Sequence, residues 1–304
     1  MAANDNATAV GTEPRGHQAT SLGTFPAVHV LPDQPLTRIR PHKFWAVIDL
    51  TEVWAHRELF LLLIWRDLKL RYKQTLLGAA WVILQPLMMT IVFTVFLGLF
   101  ARPPVRNVPY PLFLYGGLLP WTFFSNAVLS SSYSLVSNAK LLRKVYFPRV
   151  LLPLAAVGVR LADSIISFTF ILVMMAYYGV RPSASLLLLP LLLLNLVLLA
   201  IALGTWFAAL NIKYGDVGTI LPVLLQICMF ASPIIYPSSL VPQNWRWLYN
   251  LNPMAGIIEN FRASLFNLEF NWSAFGISFG ITVVLLVCIA FAFRRLEDEF
   301  ADTI

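Results

Sequence analysis

The sequence predicts an all-α membrane protein with six transmembrane helices, and three observations carry that prediction. Of its 304 residues, 58% are hydrophobic and only 12% are charged, and the mean hydropathy is +0.72, outside the range of soluble domains. Six apolar stretches approach or exceed the roughly twenty residues that a spanning helix needs. The cations gather in alternate connections between those stretches, the pattern that orients membrane proteins. The net charge of +7 therefore reads as a topology signal, and nucleic acid is not expected as a partner.

Residues 1–43, rich in Ala, Thr, Gly and Pro, contain no apolar run long enough for a signal-peptide core. They are expected to form a disordered cytoplasmic tail. Residues 44–75 form the next unit. Over 44–68, Asp49, Glu52 and His56 share one helical face while Leu50, Trp54, Leu61 and Trp65 share another, the pattern of an amphipathic helix lying in the membrane interface. A helix of a soluble domain would show the same pattern, but the chain holds no further material for such a domain.

The transmembrane unit, 76–304, contains the six spans: 76–100, 110–135, 150–178, 186–210, 217–236 and 274–293. The second is interrupted by Gly116, Gly117, Pro120 and Asn126. Arg57, Arg66, Lys69, Arg71 and Lys73 precede the first span, Lys140, Arg143, Lys144 and Arg149 join the second to the third, Lys213 lies between the fourth and fifth, and Arg294 and Arg295 follow the sixth. The other side carries Arg102, Arg106, Arg181, Arg246 and Arg262. Both termini are thus expected to be cytoplasmic.

Between the fifth and sixth spans, residues 232–272 are too apolar for a solvated loop and too broken by Pro233, Pro237, Pro242 and Pro253 to cross. Two short helices, 241–250 and 253–265, are expected there. Irregular backbone at membrane depth is tolerated only beside protein or a water-filled cavity, which puts a pathway next to them.

No catalytic constellation emerges. All four histidines lie at or before His56, no Ser/His/Asp grouping falls in the spans, and Cys228 and Cys288 sit inside apolar runs, so neither catalytic residues nor metal ligands are assigned. The absence of a G-x-x-x-x-G-K-[ST] loop means that ATP and its Mg ion would have to be bound by another polypeptide. Arg160 and Asp163 stand three residues apart in the third span, where ionisable groups are costly and tend to be paired or functional. A salt bridge facing the bundle and a direct substrate contact are both open. The aromatics Tyr115, Trp121 and Phe124 in the second span, with Tyr236, Trp245 and Trp247 near the five-six connection, fit either interfacial belts or a lumen whose flat apolar faces suit a sliding glycan.

The stretch SNAKLLRKVYFPRVLLP (137–153) predicts a short helix capped by Asn138 and ended by Pro148, with an apolar patch of Leu141, Leu142, Val145 and Tyr146 beside a basic one of Lys140, Arg143 and Lys144. A helix this short is marginal in water and needs something to dock on. Lipid headgroups and a cytoplasmic partner are equally compatible with the spacing.

Four motifs in order, RDLKLRYKQTLLGAAWVILQPL (66–87), LLRKVYFPRVLLP (141–153), SPIIYP (232–237) and NPMAGIIENFR (252–262), resemble the permease subunit of ABC-2 type polysaccharide exporters, which move lipid-linked O-antigen, capsule or teichoic acid. The resemblance implies a homodimer in the bacterial inner membrane, working with two copies of a separate ATPase subunit. It also implies that the two-three connection is a coupling helix whose docking surface is Leu141, Arg143, Lys144, Tyr146 and Phe147, and that the two short helices before the sixth span are gate helices. ATP-driven export of a glycan on polyprenyl pyrophosphate follows as the expected function, with Arg66, Lys69, Arg71 and Lys73 placed to hold the pyrophosphate unless they serve only topology. Gly215 stands where the family often has Arg. The competing readings are an ABC-2 exporter of a small lipid or drug, a membrane-embedded glycan-processing enzyme and a scaffold for glycan synthesis.

Overall fold

A computed structural model of the chain describes residues 50–73, 78, 80–100, 108–182 and 184–303. The expected N-terminal tail and the first residues of the expected interface helix lie outside these. Among the described residues the regular structure is all helical.

The expected interface helix is two helices, α1 (Leu50–Ala55) and α2 (Arg57–Lys73), separated at His56. The face expected to lie in the membrane interface is open, with Trp54, Leu61 and Trp65 all well exposed, whereas Leu63 is 1% exposed and packs with Phe60 and Ile64 on a second apolar side that the periodicity does not single out. The cause is that the segment is apolar all round between Phe60 and Trp65, so a helical wheel offers two candidate faces, and only the neighbouring helix selects between them. That neighbour is α6 (Leu151–Tyr177), which α2 meets closely enough that a Cβ on Gly158 would lie 2.6 Å from Ile64 Cδ1.

α3 (Ala80–Phe100) and α4 (Tyr110–Ser137) follow. Pro109 and Pro111 fit the start of α4, where a missing N–H leaves no bond unmade. α5 (Ala139–Leu142) is a single turn, shorter than expected. α6 (Leu151–Tyr177) and α7 (Leu189–Lys213) are the long apolar helices expected. Among the described residues, four segments are long and apolar enough to cross a membrane: Tyr110–Ser137, Leu151–Tyr177, Ala184–Lys213 and Trp272–Leu296. Two shorter apolar helices, Ala80–Phe96 and Val217–Ala231, stand where the first and fifth spans were expected. The chain is a multi-pass membrane protein.

α4 is the hub, packed against α6, α7, α3, α8 (Val217–Ala231) and α10 (Pro253–Phe266). Its two buried clusters are large. One joins Trp121, Phe124 and Val128 to α7 and α8, and the other joins Leu112, Tyr115 and Leu119 to α6, α7 and α10.

α8 (Val217–Ala231) ends five residues before the expected boundary at residue 236. Pro233 explains it: the ring disfavours helical backbone at the preceding residue, and Ser232 is extended at φ −102°, ψ 153°. α9 (Arg246–Asn250), α10 (Pro253–Phe266) and α11 (Trp272–Thr303) complete the chain. Asn252 caps α10 by accepting from the Met254 N–H, Pro253 occupies its first turn, and Asn267 closes it in the left-handed region at φ 55°. The expected first helix of this connection is broken instead into 3₁₀ turns and the five residues of α9.

Candidate functional site

A cleft of about 510 Å³ opens between the end of α2, the start of α3 and the middles of α4 and α6. Trp81, Pro86, Met88, Met89 and Val92 form its apolar wall; Gln85, Thr122, Asn126 and Ser167 are interspersed, and Arg71, Arg160 and Asp163 also line it. Ser167 donates to the Val82 carbonyl at 3.2 Å and so fastens α6 to the first turn of α3.

Asp163 is 6% exposed and has three partners among the described residues. Arg71 Nη1 lies 2.6 Å from Oδ2, and the Tyr72 hydroxyl donates to Oδ1. Arg160 Nη1 is more distant, at 3.5 Å, because its guanidinium is turned toward Ser130, whose Oγ accepts from Nε at 2.8 Å. The pair expected from i, i+3 spacing is therefore secondary, and the principal partner comes from α2. Burial and the bond to Asp163 push the Tyr72 phenol up to about 12, so it stays protonated and donates.

The other basic residues expected beside Arg71 do not join it. Arg66 pairs with Asp67 at 2.8 Å and donates to Asn138 Oδ1 at 2.9 Å, while Lys69 and Lys73 are exposed and do not line the cleft. The Asn138 side chain holds Arg66 instead of capping α5.

In the expected docking surface, Arg143, Lys144 and Tyr146 are exposed, Tyr146 at 86%, and Leu141 is half-buried. Phe147 must be withdrawn from that surface. It is 4% exposed and packed with Leu63, Leu135 and Leu151, because the turn before Pro148 folds the ring back onto the bundle.

The aromatics divide in the same way. Tyr115, Trp121 and Phe124 are buried in the clusters around α4 and cannot face a lumen of this chain. Trp245 and Trp247 are exposed, and Tyr236 is half-buried. An apolar ring in a membrane protein is equally at home in lipid, lumen or core, so composition could not separate these positions.

Sequence reasoning missed Arg262, which counted only as a topology charge. It is 3% exposed and donates to the carbonyls of Phe113 (3.0 Å), Pro233 (2.5 Å) and Ile234 (2.6 Å). The last two are acceptors freed where Pro233 stops α8, so the break that ends one helix is satisfied from another. The signal was present: a lone Arg inside the apolar run of α10 demands acceptors, and a nearby Pro-broken segment supplies them. Tyr72 and Ser130 were also missed, and no local spacing points to them.

A family model described as ABC-2 type transporter matches residues 58–266. The O-antigen export system permease protein RfbA of Myxococcus xanthus is 30% identical over 256 residues, covering 83% of this chain and 98% of that protein. The protein of the same name from Klebsiella pneumoniae is 28% identical over 238 residues, covering 78% of this chain and 91% of that protein. The polysialic acid transport protein KpsM of Escherichia coli is 25% identical over 201 residues, covering 64% of this chain and 76% of that protein.

Proposed function

The chain belongs to the ABC-2 type transporter family, and from that membership we propose that it is the membrane subunit of an ATP-driven exporter of lipid-linked polysaccharide. The observation that carries this reading is the similarity to the Myxococcus xanthus O-antigen permease, which runs along nearly the whole of that protein. The chain is a transport subunit and not a catalyst, and it works with an ATPase subunit.

In finer detail, two copies form the passage in the bacterial inner membrane, both termini face the cytoplasm, and the partner ATPase binds ATP and Mg. α5 and the turn after it are the coupling helix: exposed Arg143, Lys144 and Tyr146 meet the ATPase, while buried Phe147 ties that turn to α2 and α6. Six spans include the two shorter helices α3 and α8. The segments after α8 serve as the gate on the far side, where Trp245 and Trp247 offer exposed rings to a passing glycan. Arg71 receives the pyrophosphate head of the polyprenyl carrier, since it lines the cleft. Cells lacking only this protein should lose surface glycan and accumulate its lipid-linked precursor on the inner leaflet. Retention of surface glycan would overturn the reading.

A further inference from the structure

Two guanidinium groups and one phenol converge on a single carboxylate at the wall of the cleft. Arg71 and Tyr72 come from α2, Arg160 and Asp163 from α6. One Arg suffices to neutralise one Asp, and Arg160 reaches Asp163 only at 3.5 Å, so the cluster keeps one positive charge in excess. It does so beside a cavity of about 510 Å³, a volume within the range of small-molecule sites.

We propose that Arg71 and Arg160 form a phosphate-binding site which Asp163 occupies in the unliganded protein, and that the phosphate head of a lipid displaces this carboxylate. The carboxylate oxygens stand in for phosphate oxygens. A phosphate group offers more acceptors and more charge than Asp163, enough to engage both guanidinium forks at once. Met88, Met89 and Val92 form an apolar wall in the same cleft, and each is close to half exposed, which suits a hydrocarbon tail. Tyr72 acts as a positioning residue: its hydroxyl holds Asp163 in place, so exchange of one anion for the other must break that bond. The inference rests on the export of a diphosphate lipid proposed above and identifies the residues that would receive its head.

The test is equilibrium binding of radiolabelled farnesyl diphosphate to the complete transporter with its ATPase, in phosphatidylcholine nanodiscs. Arg71→Gln and Arg160→Gln should each weaken binding by roughly tenfold, the loss expected for one charge-assisted hydrogen-bonding partner. Asp163→Asn, which removes the competing charge, should tighten binding, and so should Tyr72→Phe, which removes one hydroxyl and keeps the proposal testable if the Asp163 variant fails to fold. A purely structural cluster predicts the opposite sign: weaker or unchanged binding in Asp163→Asn and Tyr72→Phe would overturn the proposal. Competition by inorganic pyrophosphate or phosphatidylglycerol as strong as that by unlabelled farnesyl diphosphate would support the phosphate site and assign it to those sources. Binding indifferent to all four substitutions would overturn this site while leaving the export reading intact. Absence of both binding and glycan export would overturn the two together.

Discussion

The guanidinium carbon of Arg262 lies 3.6 Å from the centre of the Phe113 ring, and its Nε donates to the Phe113 carbonyl at 3.0 Å. One side chain of α10 therefore grips the first turn of α4 and, through Pro233 and Ile234, the broken end of α8. Replacing it with Met would leave three buried carbonyls without this donor, each worth about 1 kcal/mol or more. Arg262→Met should lower stability by roughly 3 kcal/mol, and Arg262→Lys should recover only part of the loss, because an ammonium lacks the planar fork. Thermal unfolding in detergent reads both.

Gly117 sits under that guanidinium. A Cβ there would lie 2.2 Å from Arg262 Nη2, whereas a Cβ on Gly280 would meet nothing within 4 Å. Gly117→Ala is expected to destabilise the protein by about 1 to 3 kcal/mol. Gly280→Ala, in the interior of α11, should be neutral or stabilising by up to about 1 kcal/mol. The same unfolding measurement distinguishes the two.

The turn that joins α5 to α6 separates docking from packing within a few residues. Arg143→Gln with Lys144→Gln should lower the ATPase activity of the assembled transporter without moving the unfolding temperature, since both side chains are exposed. Phe147→Ala should reduce stability by about 3 kcal/mol or more. A loss of stability in the charge variant with normal ATPase activity would contradict this assignment.

The aromatic residues make a parallel contrast. Trp245→Ala and Trp247→Ala are expected to slow glycan export from vesicles while leaving stability within about 0.5 kcal/mol, as exposed positions do. Trp121→Ala should instead destabilise by about 3 kcal/mol or more.

The four long apolar segments were legible because an apolar run of twenty residues or more has one common meaning. Residue 110 opens both the expected second span and α4, and Pro233, which lies inside the expected fifth span, shows why α8 stops early. The side of each helix that packs was not legible. Lipid and protein core select the same residues, so Leu61 and Leu63 are equivalent in sequence while only Leu63 is buried. Within the site, the local pair Arg160 and Asp163 could be read from spacing, but Arg71 reaches Asp163 only because α2 runs along α6. A contact between distant segments leaves no trace in periodicity.

The most direct measurement is ATP-dependent transfer of a lipid-linked glycan across proteoliposomes containing the purified chain with or without its separate ATPase. The account predicts transfer and ATP hydrolysis only when both polypeptides are present. Transfer by this chain alone, or none by the assembled pair supplied with ATP and glycan, would contradict it.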